Sequence, residues 1–153
     1  MIITFCGHSS YSPKQEDEEE MLKIFESISQ NEYITFLLGG YGGFDGFSRY
    51  CASKYKETHP NVKLVFVSPY LGKWLDERKE TINDRYDEII YPELEKVPPK
   101  FAITKRNEWM VNQADYVIAY VQTHYGGAYN TLLYAYKHNK PYTNLYKGNY
   151  ELY

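Results

Sequence analysis

The stretch ITFLLGGYGGFDGFSRYCASKYK, residues 34–56, constrains the fold more than any other. Five apolar or β-branched residues run into four glycines and an aspartate, and a helical pattern follows. Glycine weakens strands and helices alike. A cluster of them between a strand and a helix marks a place where the backbone turns sharply or something comes very close to it.

The same rhythm repeats along the chain. IITFC (2–6) reads as a short buried strand ending in GHSSYS. QEDEEEMLKIFESIS places Met21, Leu22, Ile24, Phe25 and Ile28 at helical spacing, with an acidic start that suits a helix N-terminus. YITFLL (33–38) is a second strand, 43–59 a second helix, and VKLVFVSP (62–69) a third strand closed by Pro69. Between 70 and 100 the rhythm breaks. That segment predicts a short helix around 74–82 and a strand at EIIY, and the prolines of PELEKVPP then rule out regular structure. Connections of this kind commonly serve as lids or binding loops, and 71–100 is read as an insertion or lid. A helix over 105–113, the strand YVIAYV (116–121), a turn QTHYGGAYN leading into a helix to about 137, and a last strand in KPYTNLY complete the chain.

Alternating strands and helices predict an α/β fold, a mainly parallel sheet covered on both faces, in one domain spanning 1–153. Right-handed crossovers then bring every strand-to-helix turn to the carboxyl edge of the sheet, where ligands of such folds bind. Three of those turns are rich in small residues: CGHSS, LGGYGGFD and YGGAYNT. Glycines there let a ligand approach the backbone, and the unpaired first amides of a helix favour an anion. Gly39 to Gly43 are therefore expected to form a phosphate-facing turn, with Asp45 capping the helix or reaching a ribose hydroxyl. The pattern is neither the dinucleotide fingerprint G-x-G-x-x-G nor a Walker loop, since no lysine follows the glycines.

Other features narrow the field. A net charge of −3 gives no basic footprint, so nucleic acid is not the expected partner. Eighteen tyrosines offer flat faces with polar tips, and Tyr41, Tyr70 and Tyr125 flank the predicted edge turns, where they could stack on a base. Cys6 and Cys51 lack metal-type spacing and read as buried thiols. No histidine pair has ligand spacing, so neither a metal nor another cofactor is expected. The chain opens in MIITFC without a basic, apolar leader and has no span long enough for a bilayer, which reads as a cytoplasmic protein with no membrane partner. His8 and His124 sit beside Gly turns; His59 and His138 fall at helix C-termini. Met110 and Val111 belong to a core face, while Arg106, a natural fork for phosphate, and Asn107 point either to solvent or to the same edge.

GHSSY after the first strand, GGYGGFD after the second and RNEWMVNQADYVIAYV…GGAYNTLLYAYKHNKP together resemble the SLOG superfamily, most of all its YpsA-like branch. That group also holds cytokinin-activating phosphoribohydrolases and the DNA-processing protein A core. The resemblance spans most of the chain outside 71–100. It implies a Rossmann-like three-layer fold that binds a nucleotide-type small molecule across the Gly turns, and by analogy a homodimer. Carried over, the candidate ligand-binding residues are Gly7, His8 and Ser9; Gly39, Gly40, Gly42, Gly43 and Asp45; Arg106 and Asn107; and Gly126, Gly127, Asn130 and Thr131.

The departures matter as much. The phosphoribohydrolases resemble P-G-G-x-G-T-x-x-E, whose glutamate is needed to cleave the glycosidic bond. Here Leu38 stands for the proline, Gly43 for the threonine and Gly46 for the glutamate. Nucleoside deoxyribosyltransferases use a G-T-A-x-E turn with a nucleophilic glutamate, and Asn130 stands at that place. An amide cannot act as a carboxylate nucleophile or base. Sensing or sequestering a nucleotide is therefore the leading expectation, with a signalling derivative of NAD or ADP-ribose among the ligands considered. An N-glycosidase using Asp45, Glu108 or Asp115, with His8 as a second catalytic candidate, is the alternative. Single-stranded DNA binding is the third.

Overall fold

The structure, a computed structural model, describes residues 1–29 and 32–153. Six strands form one parallel sheet: β1 (Ile2–Gly7), β2 (Ile34–Leu38), β3 (Val62–Val67), β4 (Glu88–Ile90), β5 (Tyr116–Tyr120) and β6 (Tyr142–Asn144). Their order is β4-β3-β2-β1-β5-β6. The first four strands step in one direction from β1 and the last two in the other, so the order reverses between β1 and β5. That reversal opens a crevice above the carboxyl ends of the two strands.

Six helices connect the strands: α1 (Gln15–Ser29), α2 (Gly42–Thr58), α3 (Lys73–Asp76), α4 (Lys79–Arg85), α5 (Ala102–Gln113) and α6 (Gly126–Lys137). The period-two alternation of each strand sends its side chains to two separate cores. Ile3 and Phe5 of β1, with Phe36 of β2, meet Phe25 of α1 and Phe44 and Phe47 of α2 on one face. Phe25 and Phe36 approach to 4.7 Å between ring centroids, and Phe5 and Phe36 to 5.8 Å. On the other face Cys6, Val117 and Ala119 pack against Val111 of α5 and Leu132 and Ala135 of α6. Met110 joins Leu37, Val65 and Val67 nearby. Both helical layers are thus fixed by the same strands, and the result is the three-layer single domain expected.

Segment 71–100 differs from its prediction. The single helix expected there is divided into α3 and α4, and the Arg78 side chain turns back onto α3. Its Nη1 donates to the Trp74 carbonyl at 2.7 Å, and the guanidinium lies 4.3 Å from the Trp74 ring. β4 pairs with β3 and extends the sheet, and Tyr86 seats this segment against Phe66. A 3-10 turn at Pro99–Phe101 starts α5 at residue 102 rather than 105. Both cysteines are buried and free. No helix among the described residues is long and apolar enough to cross a membrane.

Candidate ligand-binding site

The turn after β1 is the hub of the carboxyl edge. The Gly43 amide donates to the Ser9 carbonyl at 2.8 Å and the Phe44 amide to the His8 carbonyl at 3.3 Å. These are first-turn amides of α2, the groups an anion would need. A Cβ on Gly43 would run into the Tyr11 carbonyl, and one on Gly42, which has φ of 86°, would sit 2.7 Å from Ser9 Cα. The glycines of LGGYGGFD thus allow two turns of one chain to touch. Gly42 and Gly43 face an outer groove beside Lys14 and Phe47, and Gly40 lies against the Phe66 ring. Within the 39–43 turn, the Tyr41 amide is taken by Asp45 Oδ2 and the Gly43 amide by the Ser9 carbonyl, so these two are not offered to a phosphate.

His8 ties the hub to the other side of the crevice. Its Nε2 accepts a hydrogen bond from the Gln122 amide at 2.9 Å, which puts the neutral ring's proton on Nδ1. Burial lowers its pKa from the ordinary 6.5. A neutral, bonded imidazole braces the β1 and β5 turns and is poorly placed as a general acid.

Between these turns lies a cleft of about 560 Å³. Of the sequence candidates, Gly7, His8, Ser9, Asp45, Arg106, Asn107, Gly126, Gly127 and Thr131 line it. Gly39 lies behind Arg106, and Asn130 is exposed and off the cleft wall. The remaining wall includes Ser10, Tyr41, Ile103, Gln122, Thr123 and Tyr125.

Arg106 dominates the floor. Only 3% exposed, it crosses from α5 to the ends of two strands. Its Nη1 donates to the carbonyls of Val67 at 2.8 Å and Gly39 at 3.2 Å, and its Nε to Asn107 Oδ1 at 2.9 Å. Nη2 has no acceptor among the described residues. Burial lowers the guanidinium's pKa, opposed by the charge of Asp45. No carboxylate forms an ion pair with it among the described residues. Asp45, the one acidic side chain on the cleft wall, accepts from the Tyr41 amide through Oδ2 at 3.0 Å. Burial pushes its carboxyl up to about 6, against the pull of the Tyr41 bond and the Arg106 charge.

The start of α6 is open where that of α2 is filled. Gly126 has φ of 91°, a left-handed conformation that admits glycine readily. Nothing lies within 4 Å of a Cβ placed on Gly126 or Gly127. The first amides of α6 have no acceptor among the described residues, and Thr131 Oγ1 donates to the Gly127 carbonyl at 2.9 Å.

Several expected candidates lie elsewhere. Asp115 precedes β5 and accepts from the Ile2 amide at 2.8 Å, on the amino edge of the sheet. Glu108 pairs with Lys105 at 3.1 Å. His124 stacks on Tyr150 at 4.8 Å and contacts the Glu151 carbonyl. Tyr70 is engaged with Pro99 and Trp74. His59 and His138 take the C-cap positions of α2 and α6.

Known structures share this arrangement of strands and helices. DNA processing protein A from Streptococcus pneumoniae superposes with a TM-score of 0.60 at 14% identity, covering 92% of this chain and 48% of that protein. The Helicobacter pylori protein of the same name gives 0.60 at 16%, covering 93% and 63%. The molybdenum cofactor binding protein of Rippkaea orientalis gives 0.57 at 20%, covering 92% and 73%. The chain has the fold of these proteins, the fold expected from its resemblance to the SLOG superfamily. It spans about half the length of the pneumococcal protein, so this likeness concerns the fold of the matched part alone. No family model matches the sequence. Among curated proteins, the chain is 28% identical over 138 residues to the uncharacterized SPbeta prophage-derived protein YoqJ of Bacillus subtilis, covering 78% of this chain and 80% of that protein.

Proposed function

We propose that the cleft binds a nucleotide or nucleotide-derived small molecule, and that the protein senses or sequesters it. The observation that carries this reading is the Nη2 of Arg106, which opens to the cleft without an acceptor among the described residues while the rest of the side chain, only 3% exposed, is held by its Nε and Nη1 bonds. A guanidinium held in place by its other donors and offering one free nitrogen to a cleft is preorganised for an anion. A phosphate or carboxylate oxygen fits that nitrogen, and arginine is the natural fork for it. The open amides of α6 add a second feature that favours an anion. Ser9, Ser10 and Asn107 offer partners for sugar hydroxyls.

Among proteins of this fold, one neighbour is a molybdenum cofactor binding protein, and another is described for its single-stranded DNA binding mode. For this chain, a net charge of −3 and a carboxylate in the cleft argue against a nucleic-acid backbone.

Thermal unfolding with 1 mM AMP, ADP, ADP-ribose or NAD tests the reading. A ligand with a dissociation constant of about 10 μM stabilises by about 2.7 kcal/mol at that concentration, a shift of several degrees. Unchanged melting with every nucleotide at millimolar concentration rejects it.

One observation favours an enzymatic alternative, a glycosidic-bond hydrolase or transferase. Asp45 faces the cleft with a carboxyl near 6, a value suited to proton transfer at neutral pH. Asp45→Asn protein that releases base from nucleotides as fast as the native chain eliminates Asp45 from that role.

A further inference from the structure

The two helices whose first turns border the crevice, α2 and α6, both have a tyrosine as N-cap. Tyr41 and Tyr125 are 74% and 76% exposed, and neither side chain makes a capping bond. Serine, threonine, aspartate or asparagine at such a position stabilises a helix by about 1 kcal/mol. None of the helices α2 to α6 has a side-chain capping bond, and α2 and α6 are the two whose N-cap is an exposed tyrosine on the wall of one cleft. Phe101, the N-cap of α5, differs in that Lys100 lies 5.1 Å from its ring. Among the described residues, neither Tyr41 nor Tyr125 has an aromatic or cationic partner.

Their backbones, by contrast, are fixed. The Tyr41 amide is held by Asp45, and the Tyr125 carbonyl accepts from Thr123 Oγ1 at 2.9 Å. Tyr41 follows β2 and Tyr125 follows β5, the two neighbours of β1. The tyrosines therefore stand on either side of the carboxyl end of β1, over strands about 10 Å apart. Both line the cleft, with Ile103 as the further apolar part of its mouth. The floor of this cleft is cationic and its rim is aromatic.

We infer that Tyr41 and Tyr125 form an aromatic clamp that holds the nucleobase of the ligand at the cleft mouth while its phosphate lies on the Arg106 floor. This rests on the nucleotide reading above. The clamp makes the base the part that discriminates a nucleotide from a bare sugar phosphate. Stacking tolerates any base, and the larger face of a purine gains more than a pyrimidine.

The test compares AMP, UMP and ribose 5-phosphate, alike in sugar and phosphate, by calorimetric titration of the full chain. Native protein is expected to prefer AMP, then UMP, then ribose 5-phosphate. Tyr41→Ala and Tyr125→Ala should each weaken AMP about tenfold and leave ribose 5-phosphate unchanged. The Tyr→Phe variants should retain AMP affinity, because a ring and not a hydroxyl is required. Both tyrosines are exposed, so the variants should melt as the native chain does. If AMP affinity is unmoved in both alanine variants, or falls equally for ribose 5-phosphate, the clamp is wrong while the nucleotide site stands. If none of the three ligands binds native protein, the clamp is overturned, and the nucleotide reading fails with it when ADP, ADP-ribose and NAD also leave the melting unchanged.

Discussion

The guanidinium of Arg106 donates to the carbonyl of Val67 at 2.8 Å, joining α5 to the end of β3 across the floor of the cleft. The same Nη1 reaches Gly39 at the end of β2, so one nitrogen ties a helix to two strand ends. Replacing Arg106 by methionine leaves both carbonyls without that donor. Hydrogen bonds to charged groups contribute about 1.5–3 kcal/mol, so urea denaturation should show a loss of about 2–4 kcal/mol. Lysine keeps the charge but lacks the fork, and Arg106→Lys should recover at most half of that loss.

His8 gives the protein an acid limit. Its folded pKa lies below 6.5 because burial disfavours the imidazolium and the Gln122 amide needs Nε2 as an acceptor. A depressed value means that the folded state prefers the neutral ring. The associated stability is present above pH 6.5 and is lost as pH falls through the folded pKa. In His8→Gln, a side-chain carbonyl replaces Nε2 as an acceptor that does not titrate. The difference in unfolding free energy between the two proteins should therefore shift in favour of glutamine as pH falls from 7.5 to 5. A difference that stays constant over that range removes His8 as the brace.

The fold was legible because its signals are periodic. Apolar runs, helical spacing in α1 and the position of the Gly turns all follow from burial on two faces of a parallel sheet. The site was legible only in part. A glycine that makes room for a ligand and one that makes room for another turn read alike. Gly126 faces open space, whereas Gly43 faces the Tyr11 carbonyl, and only the folded backbone distinguishes them. Ile103 was missed because the Pro99 turn starts α5 three residues early. Asp115 was readable: a residue just before a strand lies at the amino edge, away from any cleft at the carboxyl edge.

Asp45 should behave in the opposite sense to His8. Its folded pKa is raised from 3.8 to about 6, so the folded state prefers the protonated carboxyl. Stability from that preference is full below pH 3.8 and is lost as pH rises through about 6. At pH 7.5 the ionised group is a burden, only partly relieved by Arg106. Asparagine retains an oxygen for the Tyr41 amide and carries no charge. Asp45→Asn should therefore be more stable by about 1–2 kcal/mol at pH 7.5, with the gain vanishing below pH 4. Urea midpoints at the two pH values measure this.

Two glycines of α2 should respond oppositely to the same substitution. Gly46 lies within the helix, is exposed and has nothing within 4 Å of a Cβ built upon it. Alanine there keeps the fold and restricts the unfolded chain, so Gly46→Ala should gain about 0.5–1 kcal/mol. Gly43 lies three residues earlier, and its Cβ would meet the Tyr11 carbonyl, backbone that cannot swing aside as a side chain can. Gly43→Ala must pry the β1 turn from α2, breaking the Gly43–Ser9 bond that builds one wall of the cleft. A loss of about 2 kcal/mol or more is expected, the scale of overpacking. The amide exchange of Gly43 should rise with it and that of Gly127 should not. Equal effects of alanine at 43 and 46 on the melting temperature would show that the two turns are not in contact.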